Sequence, residues 1–284
     1  MRYEILGPLR IIGENGDTEI KARKIETLLT VFLIRANQVV SIDELILEMW
    51  GEHPPKRATA GLHVYISQLR KLLRQPGDKT RRIITRAPGY TLEIDDDQID
   101  YLDLQRHVDE GRRLSRDGHH RDAVRSFETA LDTWRGNVPH ESSKGPILDG
   151  FVAWTDEIRL EAMEMLVESR LALGEHRELI AQLRRLVAEH PFREAFYHQL
   201  MLALYRADRQ AEALRVYHTA RAMLNRELGL EPCRSLRDLQ RGILSEDAEL
   251  RLLADADASE ETLYSALGFD PKSLASSGSR RTSL

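Results

Sequence analysis

A chain of 284 residues is long enough for two domains of ordinary size, each burying its own core. With 42% hydrophobic and 31% charged residues it has the balance of a soluble globular protein, which excludes a disordered or membrane-embedded class. The net charge of −5 argues weakly against nucleic acid as a partner, but the average conceals a split.

Residues 1–94 carry 15 Lys+Arg against 11 Asp+Glu, net +4, whereas residues 95–284 carry 26 against 35, net −9. Residues 56–90 hold nine basic side chains and one acidic one, Asp78. A phosphate backbone is attracted to such a stretch because each Lys or Arg that meets a phosphate releases condensed counterions. No apolar run approaches the roughly 20 residues of a membrane-spanning helix, and the opening MRYEILGPLRIIG lacks the apolar core of a signal peptide. The expected location is the cytoplasm. A single cysteine, Cys233, closes no intrachain disulfide and makes no structural zinc site by itself.

In chain order, Tyr3–Leu6, Leu9–Ile12 and Thr18–Ile20 read as short strands, separated by Gly7-Pro8 and by the turn from Gly13 to Gly16. A helical period follows at Ile25, Leu28, Leu29, Phe32 and Leu33. Ser41, ahead of Asp43 and Glu44, caps a second helix through Leu45 to Met49, which Trp50-Gly51 and Pro54-Pro55 end. A third helix runs from about Arg57 to Arg74, with Leu62, Ile66, Leu69 and Leu73 on its core face and a basic, polar face opposite. After the turn at Gln75–Asp78, two β-rich runs flank Ala87-Pro88-Gly89, a hairpin signal with Arg86 beside its tip. Three helices and a terminal hairpin make a winged helix-turn-helix, assigned to residues 1–95.

From Asp100 to about residue 245 strand signals vanish and amphipathic helices succeed one another. Ala123, Phe127 and Ala130 share their spacing with Ala213, Tyr217 and Ala220, and Leu179, Leu183 and Leu186 repeat it 34 residues before the last copy, the tetratricopeptide interval. The fold class is therefore mainly α with small β: a winged helix-turn-helix followed by a tetratricopeptide-like all-α repeat domain over 100–245. Asn137–Gly150 reads as a long connection inside that domain. Residues 246–284 read as a disordered tail ending near Arg280-Arg281-Thr282-Ser283, which has the pattern of a basophilic kinase site.

No chemistry of catalysis is legible. The chain has no Gly-Lys-Ser/Thr phosphate loop, no Gly-x-Ser-x-Gly elbow and no cysteine nucleophile context, and His119-His120 stands without ligands at metal spacing. The expectation is a non-enzyme without metal or cofactor. Trp134, Phe151 and Trp154, at helical spacing, are read as core in preference to a ligand pocket.

Residues 1–245 resemble the SARP family, the Streptomyces antibiotic regulatory proteins. The matching pieces are Ile-Leu-Gly-Pro-Leu at 5–9, Val-Val-Ser-Ile-Asp-Glu-Leu at 39–45, Met-Trp-Gly at 49–51, Pro-Pro at 54–55, Gln-Leu-Arg-Lys-Leu-Leu at 68–73, Thr-Arg-Ala-Pro-Gly-Tyr at 85–90 and Arg-Glu-Leu-Gly-Leu-Glu-Pro at 226–232. The resemblance implies an OmpR-type winged-helix DNA-binding domain and a bacterial transcriptional activation domain. It also implies binding to direct repeats of double-stranded DNA near promoters of secondary-metabolite (antibiotic) clusters, as a homodimer on DNA and hence in the nucleoid, and recruitment of RNA polymerase holoenzyme through its sigma factor and alpha subunit.

By the same resemblance the third helix enters the major groove, and the matching outward positions are Val64, Tyr65, Ser67, Gln68, Arg70 and Lys71. Gln68 has the chemistry for paired hydrogen bonds to adenine and Arg70 for guanine or phosphate, while Lys71, Arg74, Arg81 and Arg82 suit phosphate. Many relatives carry a basic residue where Ser67 and Gln68 stand. Arg86 matches the wing arginine that enters a minor groove. The loop Gly51, Glu52, His53, Lys56 and Arg57 is assigned to polymerase contact. Two rival readings are a protein-binding adaptor and a small-molecule-gated regulator, both acting through the helical repeats.

Overall fold

The computed structural model describes residues 1–13, 16–20, 22–74, 82–94, 98–136, 145–247 and 250. The expected turn at Gln75–Asp78, Arg81, and the tail with its Arg280–Ser283 motif lie outside the described residues. The chain forms a winged helix followed by tetratricopeptide-like helices. It divides into two compact units, one of residues 1–113 with 125–163, the other of residues 114–124 with the described residues from 164 onward.

The first unit opens with β1 (Arg2–Glu4), β2 (Arg10–Gly13) and β3 (Gly16–Glu19), an antiparallel run in which Tyr3 lies opposite Ile11 and Ile11 opposite Thr18. Alternation drives it inward: Tyr3, Ile5, Leu9 and Ile11 are buried. Three helices follow, α1 (Arg23–Ile34), α2 (Ile42–Trp50) and α3 (Ala58–Leu72). Helix α1 buries Leu28, Leu29, Phe32 and Leu33, the four apolar positions expected after Ile25, together with Val31. Ser41 caps α2 in a full capping box: its Oγ accepts the Glu44 N–H at 3.2 Å, and its own N–H donates to Glu44 Oε2 at 2.8 Å. Gly51 ends α2 at φ +66°, where its N–H reaches the Leu47 carbonyl.

A second sheet orders β4 (Val40–Ser41), β6 (Gly89–Leu92) and β5 (Ile83–Arg86), with β6 in the middle. Gly89 is required there. It pairs with Ser41, and a Cβ at this position would lie 1.9 Å from the Val40 carbonyl oxygen. Beyond the hairpin, β7 (Gln98–Ile99) runs parallel to β1 as the fourth strand of the first sheet, with Ile99 opposite Tyr3. The sequence pattern does not announce β4 or β7, because two residues are too few to show a period.

The helical region comprises α4 (Asp100–Arg116), α5 (His120–Asp132), α6 (Pro146–Ala172), α7 (His176–Glu189), α8 (Glu194–Arg206), α9 (Gln210–Leu228) and α10 (Arg234–Leu244). The three echoing triplets are buried throughout: Ala123, Phe127 and Ala130; Leu179, Leu183 and Leu186; Ala213, Tyr217 and Ala220. In the first unit Phe127 fills its space against a glycine of the preceding helix, since a Cβ on Gly111 would sit 2.6 Å from the ring. In the second unit α7, α8, α9 and α10 pack in succession, and Arg206 donates to the Leu171 carbonyl at 3.1 Å, satisfying the end of α6.

The connection expected over Asn137–Gly150 is corrected at its C-terminal end. Pro146 opens α6, so Pro146–Gly150 are its first turn; proline lacks the N–H that a first turn leaves unused. Residues 137–144 lie outside the described residues. Phe151 and Trp154 form a cluster with Tyr101, centroids 5.4 to 6.1 Å apart, and Trp134 lies under the Arg159 guanidinium at 5.8 Å. No helix among the described residues is long and apolar enough to cross a membrane.

Candidate nucleic-acid interface

Helix α3 buries Leu62, Ile66 and Leu69, with Leu73 just beyond its end, and turns the opposite stripe to solvent. Along that stripe Ala60, His63, Val64, Ser67, Gln68 and Lys71 are exposed, at the i, i+3, i+4 intervals that line one face. Residues 58–74 include no acidic side chain, and the helix is basic at both ends, with Lys56 and Arg57 before it and Lys71 and Arg74 at its close. The surface so made is a neutral strip flanked by exposed cations.

Tyr65 and Arg70, expected to point outward with the others, are half-buried, each drawn against a neighbour. The Tyr65 ring lies 6.3 Å from that of Trp50. Arg70 is tied to the wing: its Nε donates to the Ile83 carbonyl at 3.0 Å, a terminal nitrogen donates to Thr85 Oγ1 at 2.9 Å, and its guanidinium sits 5.7 Å from the centre of the Tyr90 ring. The planar fork that could grip guanine is here a brace between α3 and β5. Tyr90 also meets the edge of His63, at 6.5 Å.

At the tip of the hairpin Arg86 is exposed and pairs with Glu93 at 2.7 Å. Both partners face water, so the pair contributes little and is readily exchanged for another anion. Arg82 is half-buried, and its carbonyl accepts the Glu93 N–H at 2.7 Å. Arg74 is exposed. In the loop between α2 and α3, Gly51 is buried while Glu52, His53, Lys56 and Arg57 are exposed. The loop is rooted by Trp50, whose ring lies 5.4 Å from Lys24 Nζ and 3.6 Å from the position of a Cβ on Gly61.

Two buried carboxylates, unnoticed in the sequence reading, fix the winged helix to the first helices behind it. Glu48, 1% exposed, accepts the N–H groups of Ile147 at 2.6 Å and Leu148 at 3.3 Å, capping α6 from α2. Asp100, 2% exposed, accepts those of Ile5 and Leu6, both at 2.9 Å. Burial pushes both carboxyls above the usual carboxylate range; the backbone donors, and Arg135 beside Asp100, pull the other way without prevailing. Arg135 completes the join, its backbone N–H donating to the Leu6 carbonyl and its side chain pairing with Glu4 at 3.0 Å. The signal for Glu48 was available: it stands three residues after Leu45 and beside Met49, on the buried face of α2.

Residues 99–244 match the bacterial transcriptional activator domain, and residues 17–92 match the C-terminal domain of transcriptional regulatory proteins. The chain is 35% identical over 248 residues to the transcriptional regulatory protein MoaR1 of Mycobacterium tuberculosis, covering 86% of this chain and 79% of the relative. The chain belongs to the SARP family of bacterial transcriptional regulators. Among other SARP relatives, the transcriptional regulator RedD of Streptomyces coelicolor is 35% identical over 255 residues, 89% of this chain and 73% of RedD. The regulatory protein AfsR of Streptomyces griseus is 34% identical over 258 residues, 91% of this chain but 26% of AfsR. The solved structure of Mycobacterium tuberculosis EmbR in complex with a low-affinity phosphopeptide superposes with a TM-score of 0.81 at 31% identity, covering 93% of this chain and 70% of that one.

Proposed function

We propose that this SARP-family regulator is a sequence-specific activator that binds direct repeats at promoters as a homodimer and recruits RNA polymerase to a secondary-metabolite gene cluster. The observation that carries the reading is the exposed, acid-free stripe of α3, neutral in its middle and basic at both ends, standing beside a wing tipped by Arg86. A major groove offers the complementary pattern, base edges on its floor and phosphates along its rims.

In this reading Gln68 pairs with adenine, and Lys71, Arg74 and Arg82 meet phosphates, as does Arg81. Arg86 leaves Glu93 for the negative potential of a narrow minor groove, an exchange of one exposed ion pair for another in a deeper field. Arg70 holds the reading helix and the wing at a fixed spacing, because its donors toward β5 are already engaged. The exposed loop residues Glu52, His53, Lys56 and Arg57 face polymerase, with the sigma factor and alpha subunit as the partners implied by the family.

The test is a footprint of the full chain on DNA upstream of its neighbouring genes, repeated with Arg86→Ala and Lys71→Ala. The expected result is protection of spaced direct repeats that weakens in both variants, with the salt slope of binding reduced by about 1 for Lys71→Ala. Absence of protection at moderate salt by a protein that gives a normal helical spectrum would overturn the reading in favour of an adaptor or a ligand-gated regulator.

A further inference from the structure

The cations that frame α3 differ from those of the helical region in having no acid beside them. Arg106, Arg184 and Arg221, exposed on α4, α7 and α9, each lie 2.7–2.8 Å from a carboxylate. Lys56, Arg57, Lys71 and Arg74 are also exposed, and no ion pair among the described residues holds any of them. Such uncompensated cations draw in whatever anion comes within reach. The acid they lack stands elsewhere in the chain. Residues 246–270 hold eight acidic side chains against one basic one, Arg251, and Asp255, Asp257, Glu260 and Glu261 crowd four carboxylates into seven residues. The root of that segment is fixed: after α10 the chain reverses at Glu246, φ +53°, the Asp247 N–H reaches back to the Gly242 carbonyl at 3.0 Å, and Arg206 Nε donates to the Leu250 carbonyl at 3.1 Å. From that anchor, twenty extended residues to Asp270 span up to about 70 Å.

We infer that residues 251–270 dock by their carboxylates on the cation frame of α3, taking the place of DNA phosphates and restraining DNA binding. The inference rests on the DNA-binding reading above. Carboxylate and phosphate oxygens compete for the same lysine and arginine donors. The segment offers no base edges, so it lowers affinity for all sequences alike and leaves base preference unchanged. A tethered segment acts at an effective concentration of order 1 mM. A contact as weak as a Kd of about 0.25 mM then holds the frame closed about four-fifths of the time and lowers apparent DNA affinity about fivefold.

The experiment compares the full chain with a full-length variant carrying Asp255→Asn, Asp257→Asn, Glu260→Gln and Glu261→Gln, on the footprinted repeat and on a scrambled duplex. The variant should bind both duplexes about fivefold more tightly than wild type at low salt, and the gap should close as salt is raised. A fluorescent peptide of residues 251–270, titrated to about 1 mM, should bind the variant. Adding Lys71→Ala and Arg74→Ala should weaken that binding about threefold or more; both lie on the solvent side, and a circular dichroism melt checks folding. Equal DNA affinity of variant and wild type would overturn the inference. So would a gain in affinity without peptide binding, which is repulsion at a distance and not docking, or peptide binding indifferent to the loss of Lys71 and Arg74. Failure of both proteins to bind either duplex would overturn the DNA-binding reading, and this inference with it.

Discussion

Glu48 of α2 accepts the backbone N–H of Ile147 at 2.6 Å, so a side chain of the winged helix supplies a cap for the start of α6. Four N–H groups at a helix start have no partner within the helix, and a buried start must find one elsewhere. Glu48→Ala should therefore destabilise the protein by about 2–3 kcal/mol, more than an exposed cap, because the donors it strands are buried. Gly145→Ala should act on the same contact, since its Cβ would fall 2.3 Å from the Glu48 carboxyl carbon. Urea denaturation of the two single variants and the double should show losses that do not add.

The buried acids and two half-buried histidines pull stability in opposite directions as pH falls. Glu48 and Asp100 have folded-state pKa values raised above the ordinary range, chiefly by desolvation. Between the ordinary and the raised values the folded state binds more protons than the unfolded chain, so their contribution improves on acidification. His198 and His176 are lowered from 6.5, first by burial and for His176 next by Arg206. Their contribution is complete above the unfolded value and declines as pH drops below it. Urea midpoints at about pH 7, 6 and 5 should show Glu48→Gln with Asp100→Asn losing stability more steeply than wild type on acidification, and His198→Leu less steeply.

Arg70 and Gln68 are two residues apart on α3 and should fail differently. Arg70→Ala frees the wing from the helix and should weaken binding to all sequences alike, leaving base preference unchanged; Arg70→Lys should behave similarly because an ammonium does not reproduce the fork to Ile83 and Thr85. Gln68→Ala should cost about 1–3 kcal/mol at the preferred sequence and relax the choice at one position. Binding measured across a set of single-base variants of the footprinted repeat separates the two patterns.

Asn37 holds the end of β6 from the turn after α1. Its φ is +63°, and its side-chain amide donates to and accepts from the backbone of Ile94, both at 2.9 Å. Asn37→Ala should lose about 2–3 kcal/mol, combining left-handed strain with two lost hydrogen bonds. Asn37→Gly should recover only the strain component, which thermal melts of the pair will resolve.

The parts of this fold that repeat with a period were legible in the sequence. The apolar intervals of α1 and α3, the Ser41 cap and the Ala–aromatic–Ala echo each leave a one-dimensional trace of a three-dimensional face. What escaped depends on which distant residue stands opposite. Arg70 looks like an exposed cation until β5 places Ile83 and Thr85 beside it, and Pro146 looks like a loop proline until it begins a helix. Glu48 was readable in principle, as a carboxylate at a core interval of α2, but its partner is 99 residues away.

The pairing of β7 with β1 bears on how the protein is handled. A fragment ended at residue 95 would remove Gln98 and Ile99, leaving the outer edge of β1 with unpaired backbone groups, and would take Asp100 from the N–H groups of Ile5 and Leu6. Such a bare edge is a template for association with other chains. Fragments for binding work should accordingly retain α4 to the first half of α6, so that the sheet closes and its turn keeps its acceptor.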